Sequence, residues 1–181
     1  AAFSLGFVPT MGALHAGHLS LVSAALAENT LVVVSIFVNP TQFDNPNDLI
    51  KYPRRLTEDI QLLETRSKTR IIVYAPSVED VYGAETTAIR FDFGGLESQM
   101  EGTFRTGHFD GVGTIVKRLF EIVKPQTAYF GEKDFQQLQI IKKMVEITQL
   151  AVTIVGCPIE RESNGLAMSS RNSRLSSDEI E

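Results

Sequence analysis

FSLGFVPTMGALHAGHLSLVSAAL, residues 3–26, joins three signals. The apolar run Phe3–Val8 reads as a buried strand. Leu19, Val22 and Leu26 recur at helical spacing over Gly17–Glu28. Between them lies PTMGALHAGH at 9–18, where two of the chain's three histidines, His15 and His18, sit at the strand-to-helix junction. Free backbone N–H groups and the helix dipole at such a junction favour an anion. Gly12 and Gly17 let backbone and ligand approach closely. Imidazoles can add donors to the same place, and one can protonate a leaving group near neutral pH. Neither a Walker A pattern nor G-x-G-x-x-G is present, so a nucleotide here needs another device. Metal ligation by the H-x-x-H spacing lacks an evident third ligand.

Outward from this stretch, strand and helix alternate. Leu31–Val38 is a continuous β-branched strand stopped by Asn39-Pro40. Thr57–Thr65 reads as a helix, Arg70–Ala75 as a third strand ending at Pro76, and Ala88–Phe93 as a further short strand. Phe109–Lys124 is amphipathic, with Val112, Ile115, Val116, Leu119, Ile122 and Val123 on one face and Pro125 ending it. Ala128–Phe130, Phe135–Thr148 and Val152–Cys157 follow as strand, helix and strand. Ser176 with Glu179 makes a capping box for another helix. The stretch Tyr82–Arg105 is poorly patterned and reads as a loop over the site or a dimer contact. Short, continuously apolar strands separated by helices predict an α/β fold with a doubly wound parallel sheet covered on both faces. Such sheets bind ligands beyond the carboxyl ends of their strands.

At 181 residues, one domain is the default. A net charge of −5 argues against a broad nucleic-acid or membrane footprint, so any anionic ligand must be held by local features. Cys157 is the only cysteine, which excludes an intrachain disulfide and fits a reducing, cytoplasmic compartment. AAFSLGF lacks the basic start of a signal peptide, and LVVVSIFV at 31–38 is too short to span a bilayer. The chain starts without Met and stops just inside its last helical signal, which reads as a fragment.

Three more stretches carry chemistry. SIFVNPTQF at 35–43 brings Asn39 and Gln42 to a strand end, for neutral recognition of hydroxyls or carboxylates, or as an ordinary loop. YFGEKDFQQLQ at 129–139 offers Lys133 to phosphate and Asp134 to ribose, with Gln137 one turn on; a capped helix with a solvated lysine fits it equally. GLAMSSRNSRL at 165–175 is a phosphate-competent loop or a polar linker. All of them leave the carboxyl ends of predicted strands, and that convergence favours a site.

PTMGALHAGH, SIFVNPTQF, YPR at 52–54, GHFDGV at 107–112, GEKDFQQL at 131–138 and GLAMSSRN at 165–172 closely resemble the pantothenate synthetase (pantoate–β-alanine ligase) family, in the family's order along nearly the whole chain. H-x-G-H alone marks only the nucleotidyltransferase superfamily; GEKD-x-Q-Q with MSSRN makes the resemblance specific. It implies a Rossmann-like domain over 1–175 that binds ATP and pantoate, with 176–181 beginning a smaller C-terminal lid domain. It implies an ATP- and Mg²⁺-dependent ligase, a cytoplasmic homodimer without nucleic-acid or membrane partners. Pantoate would form an adenylate, and β-alanine would then displace AMP. ATP would be held by Met11, Gly12, Ala13, Leu14, His15, Ala16, Gly17 and His18, by Gly131, Glu132, Lys133 and Asp134, by Glu160, and by Met168, Ser169, Ser170 and Arg171. His18 would be the general acid, with His15 and Lys133 beside it. Pro9, Thr10, Asn39, Gln42 and Gln137 would hold pantoate and β-alanine, and Glu58 and Asp59 would lie by the Mg²⁺. Thr106, Asn164 and Glu160 depart from the family's usual residues. The runner-up enzyme is a cytidylyltransferase-type nucleotidyltransferase. A non-catalytic nucleotide-binding module is the non-enzymatic alternative, and the acidic balance disfavours an aminoacyl-tRNA synthetase fragment.

Overall fold

The computed structural model of the chain describes residues 2–43, 45–172 and 175–176. Strands β1 (Leu5–Thr10), β2 (Leu31–Ile36), β3 (Ile71–Tyr74), β4 (Thr127–Gly131) and β5 (Thr153–Cys157) form one sheet. Its order is β3-β2-β1-β4-β5, and every neighbouring pair is parallel. Helices α1 (Ala16–Glu28), α2 (Pro46–Lys51), α3 (Leu56–Glu64), α4 (Val78–Tyr82), α5 (His108–Val123) and α6 (Phe135–Thr148) complete a Rossmann-like α/β fold.

Both faces of the sheet are buried, which is why its strands read as unbroken apolar runs. Alternate residues serve opposite layers. Phe7, Val33, Ala128 and Phe130 pack with Val112, Ile115, Val116 and Leu119 of α5 and Ile140, Ile141 and Met144 of α6. Val8, Val32, Val34, Tyr129 and Cys157 pack with Leu19, Val22 and Ala25 of α1 and Leu63 of α3. Burying each such aliphatic side chain contributes about 1.5–3 kcal/mol relative to exposure.

β1 pairs with β2 along its whole length, from Leu5↔Leu31 to Thr10↔Ile36, but with β4 only at Gly6 and Phe7. Pro9, which has no N–H to give a ladder, lies where β1 has already left β4. The strand order turns back at this point, so the separation opens a crevice at the topological switch.

The expected strand Ala88–Phe93 is not one. Its amides go to side chains of α5 instead of a neighbouring strand: Ile89 N–H donates to Thr114 Oγ1 at 2.7 Å and Phe91 N–H to Asp110 Oδ1 at 3.1 Å. The poorly patterned stretch continues as two single helical turns, Leu96–Ser98 and Met100–Thr103. Gln136 of α6 ties them down, donating to the carbonyls of Leu96 and Gln99 at 2.8 and 2.6 Å and accepting from Glu101 N–H at 3.0 Å. Glu179 of the expected capping box, and residues 177–181 of the expected second domain, lie outside the described residues. Among the described residues, no helix is long and apolar enough to cross a membrane.

Candidate active site

A cleft of about 240 Å³ opens at the carboxyl ends of β1 and β4, and all four chemistry-bearing loops reach it. After β1 come Pro9, Thr10, Met11, His15, Gly17 and His18; after β2, Asn39 and Gln42. Gly131, Lys133, Asp134 and Gln137 follow β4, and Glu160 with Met168, Ser169, Ser170 and Arg171 follow β5. Loops as far apart in sequence as 9–18 and 168–171 meet because the sheet order brings their strand ends together.

The histidines build the start of α1. His15 is its N-cap, and its Nδ1 accepts from Gly17 N–H at 3.2 Å. His18 Nδ1 accepts from His15 N–H at 3.3 Å, closing a reciprocal capping box. A ring nitrogen that accepts a backbone N–H carries no proton, so each neutral ring holds its proton on Nε2. Nε2–H is then the group each can offer to the cleft. The ring centroids lie 4.1 Å apart. Burial, then the neighbouring His15, then Lys133 push the pKa of His18 down to about 3. Burial and Lys133 also lower that of His15, against an opposing pull from Glu162. Gly17 is required beside them: a β-carbon there would sit 2.9 Å from His15 Cε1.

The backbone amides of the β1–α1 turn are mostly committed within the protein, unlike the sequence expectation of free donors. Gly12 and Ala13 adopt left-handed φ of 79° and 50°. Ala13 and Leu14 then donate to Asp59 Oδ2 and Oδ1 at 2.9 and 2.8 Å, and Gly12 N–H donates to Thr10 Oγ1 at 3.2 Å. Asp59 is 3% exposed. The anion-binding donors that this stretch leaves to the cleft are the two Nε2–H groups, beside the side chains of Lys133, Ser169, Ser170 and Arg171. Ala13, Leu14, Glu58 and Asp59 line an adjoining hollow of about 330 Å³, which shares His15, Ser169 and Ser170 with the cleft. Among the described residues, no three His, Cys, Asp or Glu side chains cluster to hold a metal. Asp59, with both oxygens engaged, is first of all a brace for the turn.

Lys133 Nζ pairs with Asp134 at 3.0 Å, both partly exposed, a bond that costs little to exchange for a phosphate. Arg171 donates to Asp48 Oδ2 at 2.7 Å, and its guanidinium lies 5.6 Å over the Tyr52 ring. Tyr52 Oη is 3.3 Å from Ser170 Oγ. The 168–171 loop is thus tied to α2 and the YPR turn. Glu132 packs toward β5, where a β-carbon at Gly156 would meet its Oε1 at 3.3 Å. Gly12 and Ala16 do not line the cleft.

Gln42 Nε2 donates to Met11 Sδ at 3.2 Å, and its backbone carbonyl accepts from His108 Nδ1 at 2.7 Å. Its turn, Pro40–Gln42, rests directly on α5, because a β-carbon at Gly111 would lie 2.3 Å from the Thr41 carbonyl oxygen. The sequence pattern assigns Val112, Ile115, Val116 and Leu119 of α5 to the core alone; they also wall the cleft, as do Phe37 and Tyr52. A helix face that serves both as core and as pocket wall has one periodicity, so the pattern could not separate the two uses.

The model of the family described as Pantoate-beta-alanine ligase matches residues 1–181. Pantothenate synthetase from Christiangramia forsetii is 64% identical over 173 residues, 96% of this chain and 61% of that protein. The crystal structure of pantothenate synthetase from Thermus thermophilus superposes with a TM-score of 0.91 at 48% identity, covering 97% of this chain and 63% of that one. That of pantoate-beta-alanine ligase from Francisella tularensis complexed with beta-gamma ATP and beta-alanine superposes at 0.92 with 45% identity, covering 98% and 67%. The chain spans about three-fifths of the length of the curated relatives it matches. With its sequence and its fold both in agreement with these matches, the chain belongs to the pantoate-beta-alanine ligase family.

Proposed function

We propose that the cleft binds Mg²⁺-ATP and pantoate and supports their conversion, with β-alanine, to pantothenate, pyrophosphate and AMP. The observation that carries this reading is the mixed lining of the cleft. Cationic and N–H donors (His15 and His18 after β1, Lys133 after β4, Arg171 after β5) share it with the uncharged amides Gln42 and Gln137. The first set suits a triphosphate, the second a small hydroxy acid. The Francisella relative, complexed with an ATP species and β-alanine, supports the same assignment. We assign residues 1–175 to this domain and 176–181 to the start of the next.

In the first step a pantoate carboxylate oxygen attacks the α-phosphorus. A new P–O bond forms, and the bond to the β,γ-pyrophosphate breaks. Negative charge grows on the leaving pyrophosphate, so donors aimed there stabilise the transition state more than the ground state. His15 and His18 serve as neutral Nε2–H donors, Lys133 as a point charge, and Ser169, Ser170 and Arg171 close on the phosphates. The backbone near Glu160 meets the adenine, and Gly131–Asp134 the ribose. Met11 to Leu14 shape the turn beneath. In the second step the β-alanine amine attacks the acyl carbon, loses a proton, and AMP leaves with the electrons of the C–O bond. Pro9, Thr10 and Gln137 border the acyl site with Gln42. Mg²⁺ would come with the triphosphate and help neutralise its charge, and Glu58 of the adjoining hollow would be the carboxylate offered to it. The reading includes a cytoplasmic homodimer, which light scattering on the full-length protein checks.

Product analysis tests the reaction class. With pantoate, β-alanine and Mg²⁺-ATP, the full-length protein is expected to yield AMP, pyrophosphate and an amide. A product that retains the nucleotidyl group would mean a cytidylyltransferase-type reaction, and binding without any product a passive module.

A further inference from the structure

The sequence places Asn39 among the substrate-binding residues, but its side chain is 1% exposed and its hydrogen-bonding positions are all filled from within the protein. Oδ1 accepts from Tyr82 Oη at 2.5 Å and from Thr41 Oγ1 at 3.1 Å. Nδ2 donates to the Gly111 carbonyl at 3.2 Å and to Gln42 Oε1 at 3.1 Å. The Gly111 carbonyl can only accept, so it fixes which end of the Asn39 amide points that way. Tyr82, 5% exposed, anchors the other end. The Tyr82 ring is itself held, with the Arg118 guanidinium 4.9 Å over it. Burial pushes the Tyr82 pKa up, so the hydroxyl stays a donor at every working pH.

At the far end of this chain of donors, Gln42 Oε1 faces Asn39 Nδ2 at 3.1 Å, and the end that Gln42 turns to the cleft is its Nε2 amide, one N–H of which meets Met11 Sδ at 3.2 Å. An amide that could have presented either end is locked to present its donor. We infer that Asn39 and Tyr82 are positioning residues that set the polarity of Gln42, so that the cleft selects a small-molecule acceptor there, a carboxylate or an alcohol oxygen. This rests on the ligase reading, in which that ligand is pantoate. Neither residue needs to touch the ligand; both act through Gln42.

The test is steady-state kinetics of Tyr82→Phe and Asn39→Asp in the full-length protein, with pantoate and ATP varied separately. Tyr82→Phe removes one anchoring hydrogen bond and is expected to raise the pantoate KM about 3- to 10-fold, leaving the ATP KM within about twofold. Asn39→Asp turns an acceptor toward Gln42 Oε1, so the Gln42 amide must rotate and present Oε1 to the substrate carboxylate. The expected rise in pantoate KM is then larger, about 30-fold or more. A merely structural role would move both substrates' KM together. That outcome, or an unchanged pantoate KM in Tyr82→Phe, overturns the inference. Should Asn39→Asp fail to fold, Tyr82→Phe alone decides. A wild-type protein that does not use pantoate at all overturns the ligase reading and this inference with it.

Discussion

His18→Asn is expected to lower kcat by about 10²–10³ while the protein keeps its fold, because removing one well-placed transition-state donor costs that much. Asparagine can place Oδ1 where Nδ1 now accepts from His15 N–H at 3.3 Å, so the capping box survives. It leaves nothing where Nε2–H stood. His18→Gln does the reverse: its amide N–H reaches toward the Nε2 position, but the cap acceptor is lost, at about 0.5–2 kcal/mol. Burial, with His15 and Lys133, holds the His18 pKa at about 3, so the free site carries a neutral ring at pH 7. A bound triphosphate raises that pKa from a very low start. On this account His18 acts as a neutral donor, and glutamine recovers part of the rate that asparagine loses. Proton transfer as the dominant role would leave the two variants equally poor.

The same burial fixes a pH dependence. An unfolded histidine titrates near 6.5, whereas folded His18 stays neutral down to about 3. Between those values the unfolded chain binds more protons, so stability is lost as pH falls below about 6.5, at up to about 1.4 kcal/mol per pH unit. His15, lowered in the same direction, adds to it. Denaturant unfolding at pH 7 and pH 5 is expected to show a smaller loss in His18→Asn than in the wild type.

Asp59→Ala is expected to destabilise the protein by about 3–5 kcal/mol, since it removes two hydrogen bonds to a charged acceptor and strands two backbone donors. In a chain of this size that lowers the melting temperature by about 10 °C. Ala13 N–H and Leu14 N–H would lose their partners at 2.9 and 2.8 Å, and the left-handed Gly12-Ala13 turn its brace. Activity should fall with the fold of this turn, and raising Mg²⁺ should not restore it. A wild-type melting temperature with a raised Mg²⁺ requirement would instead make Asp59 a metal ligand. Differential scanning calorimetry with and without Mg²⁺ separates the two.

The contrast between His18 and Asp59 marks how far the sequence could be read. All five strands were legible because a sheet buried on both faces needs short, largely apolar runs, and these survive in any single sequence. The short helices α2 and α4, six and five residues long, carry too few turns to show a period. Ala88–Phe93 looks like a strand because apolar residues alternate there, but its amides are satisfied by Thr114 and Asp110, whose positions only the fold determines. The loops of the cleft were legible from their chemistry at strand ends. Their internal wiring was not. Asp59 meets Ala13 across 46 residues, and Tyr82 meets Asn39 across 43, with no local pattern linking either pair. Asn39 looks like a substrate ligand because a polar residue at a strand's carboxyl end usually faces the crevice; here its bonds are consumed by Gln42, Gly111, Thr41 and Tyr82.

Isotope exchange addresses the central claim, that this cleft activates a carboxylate by transferring adenylate to it. The full-length protein is incubated with Mg²⁺-ATP, labelled pyrophosphate and pantoate, with β-alanine left out. Label is expected to appear in ATP only when pantoate is present, because a reversible first step forms pantoyl adenylate before the amine is needed. A protein that makes pantothenate when β-alanine is added, yet shows no pantoate-dependent exchange without it, would contradict the account.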